Sequence, residues 1–131
     1  MWKDKVPPDK VPPVDELLSM QKQLMDKVPH ELPSTVIHQM ATGLGIIEET
    51  LEYLNAIGRK PWRPDPLPRE AQLEEITDIL FFYLELIIQS GFFWDEIVAE
   101  YKRKHAINLK RYEDGAKGDY SWDDRAMKGE L

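Results

Sequence analysis

The sequence contains no cysteine. That excludes disulfides and thiolate metal sites, and it leaves the redox compartment open. Long hydrophobic runs are also missing. The longest, Ile79 to Ile88, is too short to span a bilayer and carries Glu85. The N-terminus has no apolar signal core, so the expectation is a soluble, cytoplasmic protein with no membrane partner. Positive charge is in deficit: 17 Lys and Arg against 24 Asp and Glu, a net charge of −7. General binding to nucleic acid or to an anionic membrane is thereby disfavoured. A negatively charged substrate would need local Lys or Arg, or a bridging metal. Several familiar catalytic patterns are absent too. There is no Gly-x-x-x-x-Gly-Lys-Ser/Thr phosphate loop, no His-Glu-x-x-His pair and no EF-hand spacing. No Ser nucleophile stands out. The carboxylates are clustered, not set as the single separated pair of a glycosidase.

What is present is acid in two short stretches, Glu48-Glu49-Thr50-Leu51-Glu52 and Glu74-Glu75-Ile76-Thr77-Asp78. Each places carboxylates three and four residues apart within a helical pattern, which puts them on one helix face. Like charges so placed repel, and two such faces brought together repel more, unless a cation lies between them. Hard oxygen ligands suit Mg²⁺, with Mn²⁺ as the alternative. The stretches are therefore read as one divalent-metal site between two helices, against the plainer reading of two solvated acidic faces.

At 131 residues the chain has room for one domain with a core. Residues 1–13 repeat Lys-Val-Pro-Pro and read as an arm; residues 14–115 read as the domain; residues 116–131 read as a tail. Helix 1 is expected from Val14 to about Val28, with the polar Gln21 in the middle of its apolar stripe. Helix 2 is expected from Thr35 to about Ile57, with Ser34 as N-cap and Gly58 as stop. Its stripe of Ile37, Met40, Leu44, Ile47, Leu51 and Leu54 is expected to face the core, with the acids flanking it. Gly43 and Gly45 weaken this helix, and close helix packing would explain them. A proline-rich loop, residues 58–68, carries Arg59, Lys60, Trp62 and Arg63; Trp62 either anchors the loop to the core or covers a bound base. Helix 3, from about Pro68 to Gln89, is apolar all round over Ile79–Leu84 and is expected to be buried on most sides. Helix 4, Trp94 to Tyr112, has a core face of Trp94, Ile97, Val98 and Tyr101. Lys104, Asn108 and Arg111 continue along it at spacings of four and three.

Glu48-Glu49-x-x-Glu52, then Glu75-x-x-Asp78 after twenty-two intervening residues, resembles the acidic signature of the all-α nucleoside triphosphate pyrophosphatases, the superfamily of MazG and the dimeric dUTPases. Met20-Gln21-Lys22-Gln23-Leu24 is similar to the dUTPase first-helix motif. Lys104-x-x-x-Asn108-x-x-Arg111 is similar to that family's Lys-x-x-x-Asn-x-x-Arg motif. Trp62 resembles its aromatic loop residue. Where the family often carries Asn or Asp after Gln-x-x-Leu, this chain has Met25, then Asp26, so the base preference stays open. The resemblance implies an all-α, four-helix MazG-like bundle, and so short a chain with an all-round apolar helix 3 is expected to associate, as a homodimer or higher homo-oligomer. The resemblance also implies Mg²⁺ held by Glu49, Glu52, Glu75 and Asp78, with Glu48 orienting or deprotonating the attacking water. Lys104 and Arg111 would bind phosphates and Asn108 the sugar or a phosphate, while Gln21 would contact the base with Trp62 or Phe82 near it. The implied activity is hydrolysis of a dNTP, dUTP first, to dNMP and pyrophosphate. The alternatives are a MazG-like house-cleaning enzyme with broader, dCTP or modified-nucleotide preference, and a non-catalytic helical interaction module.

Overall fold

Local signals place the helices. The computed structural model describes residues 12–28 and 35–116, and these form four helices: α1 (Val14–Met25), α2 (Thr35–Ala56), α3 (Arg69–Ser90) and α4 (Trp94–Ala116). The described residues form no strand, only an isolated antiparallel bridge between Lys60 and Arg63. The protein is thus all-α, as its periodicity predicts. The proline-rich arm through residue 11, the expected Ser34 cap and the tail beyond residue 116 lie outside the described residues. Helix α1 stops three residues short of the expected Val28; Asp26 closes it with its N–H on Lys22 O at 3.0 Å. Helix α4 runs four residues past Tyr112.

Glycine ends both long central helices. Gly58 at φ 87° closes α2 with its N–H on Asn55 O, while the Arg59 N–H reaches Leu54 O. This paired termination satisfies two carbonyls that the helix leaves open. Gly91 at φ 80° does the same work after α3, donating to Ile88 O. Helix α4 starts on a reversed contact: the Glu96 carboxylate accepts the Phe93 N–H at 2.8 Å, one half of a capping box.

The chain divides between Phe92 and Phe93 into two units. In the first, α3 packs against both α2 and α1. Helices α2 and α3 run antiparallel, Gly45 lying against the Phe82 ring and Glu52 beside Glu75. The second unit carries α4, whose surface is tied by i,i+3 and i,i+4 ion pairs, Glu100–Arg103 and Lys110–Asp114. Tyr101 and His105 stack one turn apart along it, ring centroids 6.2 Å apart.

Three sequence expectations about burial fail wholly or in part. The apolar stripe of α2 does not face the core of the chain: Ile37, Met40, Leu44, Ile47 and Leu51 are exposed, Met40 at 61%. The side that meets α3 is instead Thr42, Gly45, Glu49 and Ala56. At 100° per residue the two stripes are centred roughly 150° apart. The physical reason is close approach. A helix lined with Gly, Thr and Ala admits the Phe82 ring, where a Leu-lined face would hold the axes apart. Helix α3 is likewise not buried on most sides. Only Leu84 and Ile87 are buried, while Leu80, Phe81 and Tyr83 are exposed. The expected core face of α4 is also only partly covered, with Tyr101 at 72% exposure.

Candidate metal centre

The α2–α3 register builds the site. With Gly45 against Phe82, the next turns of the antiparallel pair bring Glu49 and Glu52 of α2 to Glu75 of α3. One oxygen from each of these three carboxylates lies within 4.8 Å of the others. Asp78 lies close enough for its charge to act on both Glu49 and Glu75, yet it stands outside that tight group of three. The acids therefore sit in the helix–helix seam, not beside an inward apolar stripe as the wheel alone suggested.

The electrostatics of the seam are those of crowded anions. The Glu49 carboxyl is pushed up to about 7, first by burial, then by its hydrogen bond to Glu52 and the charges of Glu52, Asp78 and Glu75. Glu75 is raised in the same direction, again by burial first, then by its hydrogen bond to Glu52 and the charges of Glu52, Asp78 and Glu74. Oε2 of Glu49 and Oε2 of Glu75 are both buried without a hydrogen-bond partner. Buried acceptors without donors are costly, and buried charge more so. A divalent cation between the carboxylates would offset this repulsion, and the donor set fits a hard metal ion.

The remaining predicted residues scatter. Glu48 is exposed, one position before Glu49. Phe82 is half-buried and packs on Gly45, so its ring builds the seam. Trp62 is 77% exposed, which rules out the anchoring role for it. The cause is local: Lys60 to Arg63 form a turn closed by Arg63 N–H on Lys60 O at 2.9 Å, and Trp62 stands at its tip. Gln21 is buried, 4% exposed, and its Oε1 has no hydrogen-bond partner. It lines a groove of about 400 Å³ between α1 and α3, with Leu17, Leu24, Leu80, Phe81 and Leu84. The α3 side of that groove is centred roughly 140° round the helix from Glu75 and Asp78. Gln21 and the acids therefore open on different sides of α3. Lys104 and Asn108 are exposed and Arg111 half-buried, all on α4 in the second unit.

Sequence reasoning passed over a further feature. A cavity of about 260 Å³ beside the acids is lined by Glu52, Glu75, Asn55, Lys60, Arg63 and Asp65. The signal was available as basic residues in a proline-rich loop, but only the fold of that loop shows where they go. No single helix among the described residues is long and apolar enough to cross a membrane. Comparison of the chain with known protein families, with curated proteins and with solved structures finds no match.

Proposed function

We propose that the chain is a Mg²⁺-dependent nucleoside triphosphate diphosphatase that hydrolyses a dNTP, with dUTP as first substrate, to dNMP and pyrophosphate. The observation that carries this reading is the α2–α3 seam. Three carboxylates converge there, and two of their oxygens are buried without partners. The ordered acidic motifs, which resemble those of the all-α pyrophosphatases, supply the reaction class.

Glu49, Glu52 and Glu75 would hold the ion, with Asp78 beside them. The chemistry Mg²⁺ would supply when bound is positive charge that offsets the carboxylates and phosphates, and greater acidity of a coordinated water. The residues do the rest. The seam fixes the carboxylates on two packed helices, so little reorganisation is needed at the moment of reaction. Glu48, exposed and adjacent in sequence to Glu49, is the proposed acceptor for the proton of the attacking water. Water adds at phosphorus, the bond joining the α and β phosphates opens, and pyrophosphate leaves with its electron pair on oxygen. By the same resemblance Lys104 and Arg111 are proposed to bind phosphate oxygens, with Asn108 on the sugar or a phosphate. Within one chain the Gln21 groove opens away from the acids. A nucleotide contacting both must therefore reach across α3 or be shared between copies.

We further propose a homodimer as the working unit. The exposed stripe of α2 runs along a 22-residue helix, and a second copy presents the same stripe to cover it.

The test is pyrophosphate release from dUTP, dCTP, dTTP and dATP with Mg²⁺ or Mn²⁺. Glu52→Gln and Asp78→Asn are expected to cost about 100-fold or more, at the upper end of what altering an outer-shell partner costs. No release from any dNTP would overturn the reading.

A further inference from the structure

The loop joining α2 to α3 is a built platform. Gly58 cannot carry a side chain, since a Cβ there would lie 2.1 Å from the Pro64 carbonyl oxygen. The loop's far end returns to the helix, with Leu67 N–H on Ala56 O at 2.8 Å, and Gln72 Nε2 donates to Leu67 O at 2.9 Å. Between these ties, Pro61 holds the second position of the Lys60–Arg63 turn, where its fixed φ favours the turn before any ligand arrives. The turn throws Trp62 outward and sets Lys60 and Arg63 side by side at its base, bridged through their backbones.

Both residues line the same cavity as Glu52 and Glu75, two members of the carboxylate group in the seam. Neither Lys60 nor Arg63 forms an ion pair with any described residue, although Glu52, Asp65 and Glu75 line the cavity with them. Two cations held beside an anionic cluster without pairing to it are free to take an anion. At about 260 Å³ the cavity is smaller than the roughly 300–1,000 Å³ of sites that enclose a drug-sized ligand. Its lining carries five charged residues beside Asn55, Ala56 and Leu67 and no aromatic ring, so it offers charge to a phosphate and no stacking surface to a nucleobase.

We infer that Lys60 and Arg63 bind the two phosphates of the substrate remote from the nucleoside, beside the carboxylates of Glu52 and Glu75 that would hold the metal. This rests on the proposed diphosphatase reading and assigns the loop to the leaving diphosphate. Arg63 offers a planar fork of donors and Lys60 a compact charge, a combination matched to adjacent phosphate groups.

The test is calorimetric binding of imidodiphosphate with Mg²⁺, which needs no turnover. Lys60→Met and Arg63→Met are each expected to weaken it about tenfold or more, the range of a hydrogen bond to a charged group. The Lys60→Arg variant should retain most of the affinity. Lys22→Met, the same charge change on the exposed face of α1, should leave it unaltered, and the melting shift with Mg²⁺ alone should persist in every variant. Undiminished imidodiphosphate affinity in both Met variants, equal loss in Lys22→Met, or no binding by the wild type would each overturn the inference. Dependence on Lys60 and Arg63 in a protein that hydrolyses no dNTP would sustain this site and reject the diphosphatase. Hydrolysis with unchanged affinity in the variants would do the reverse.

Discussion

Glu49 and Glu75 carry the tension of the site. Each has a carboxyl raised above its ordinary value and a buried oxygen without a donor. A raised carboxyl pKa means that the folded state holds its proton more tightly than the unfolded chain. Stability from that source is present in full below about 4.5 and is lost as pH rises through about 7, the value for Glu49. The metal-free protein should therefore melt at progressively lower temperature between those limits, and Glu49→Gln should flatten the decline. Melting scans across that pH range check this; a flat wild-type profile contradicts it. Magnesium acts in the opposite sense. It needs the ionised carboxylates, so its stabilising shift should grow as pH rises through the same window and shrink sharply in Glu49→Gln. None of this was legible at the level of one residue. The spacing put acids on a face and led to the reading of one site between two helices, but it did not show that burial would raise Glu49 and Glu75 in particular.

At the scale of the element, α2 makes the sharpest case. Its two interior glycines look alike in sequence and differ in structure. An added Cβ at Gly43 meets nothing within 4 Å, whereas at Gly45 it would stand 2.7 Å from Phe82 Cε1. Gly43→Ala should therefore stabilise by about 1 kcal/mol through helix propensity. Gly45→Ala gains the same propensity but forces the ring aside, an overpacking cost of about 1–3 kcal/mol. It should be neutral to destabilising, and it should loosen the carboxylate group one turn away. Denaturant titration of the two variants separates them; equal effects would contradict the packing described for the seam. The ends of the elements were much more legible. Gly58 stops α2 where expected and Gly91 stops α3 one residue past the expected Gln89, because a left-handed stop depends on the local chain.

At the scale of the whole molecule, the notable quantity is exposed apolar surface. Among the described residues the buried apolar side chains are Met25, Ala56, Leu84 and Ile87, while the outer stripe of α2 stays open. A surface of that kind seeks a cover. If a second copy supplies it, sedimentation should give the mass of two chains, and Leu44→Glu with Ile47→Glu should shift it to one. A monomeric wild type would remove the homodimer. Ile47 lies roughly 140° or more round α2 from Glu49 and Glu52, and Leu44 lies about two turns along the helix from Glu52, so the double variant should keep its melting shift with Mg²⁺.

The sequence by itself determined that the chain is helical, where its helices start, where α2 and α3 stop, and that two helix faces are acidic. Those properties are local: a 3.6-residue period, a terminal glycine, a proline. Tertiary structure alone decided which face of α2 meets α3. Hydrophobicity marked the Leu44–Leu51 stripe as the inner one, but a stripe reads the same whether the chain or another molecule covers it. The small residues Thr42, Gly45 and Ala56 won the seam because they let two helices approach closely enough to admit Phe82. That approach drew Glu49 and Glu52 inward to Glu75, and it set the loop carrying Lys60 and Arg63 beside them.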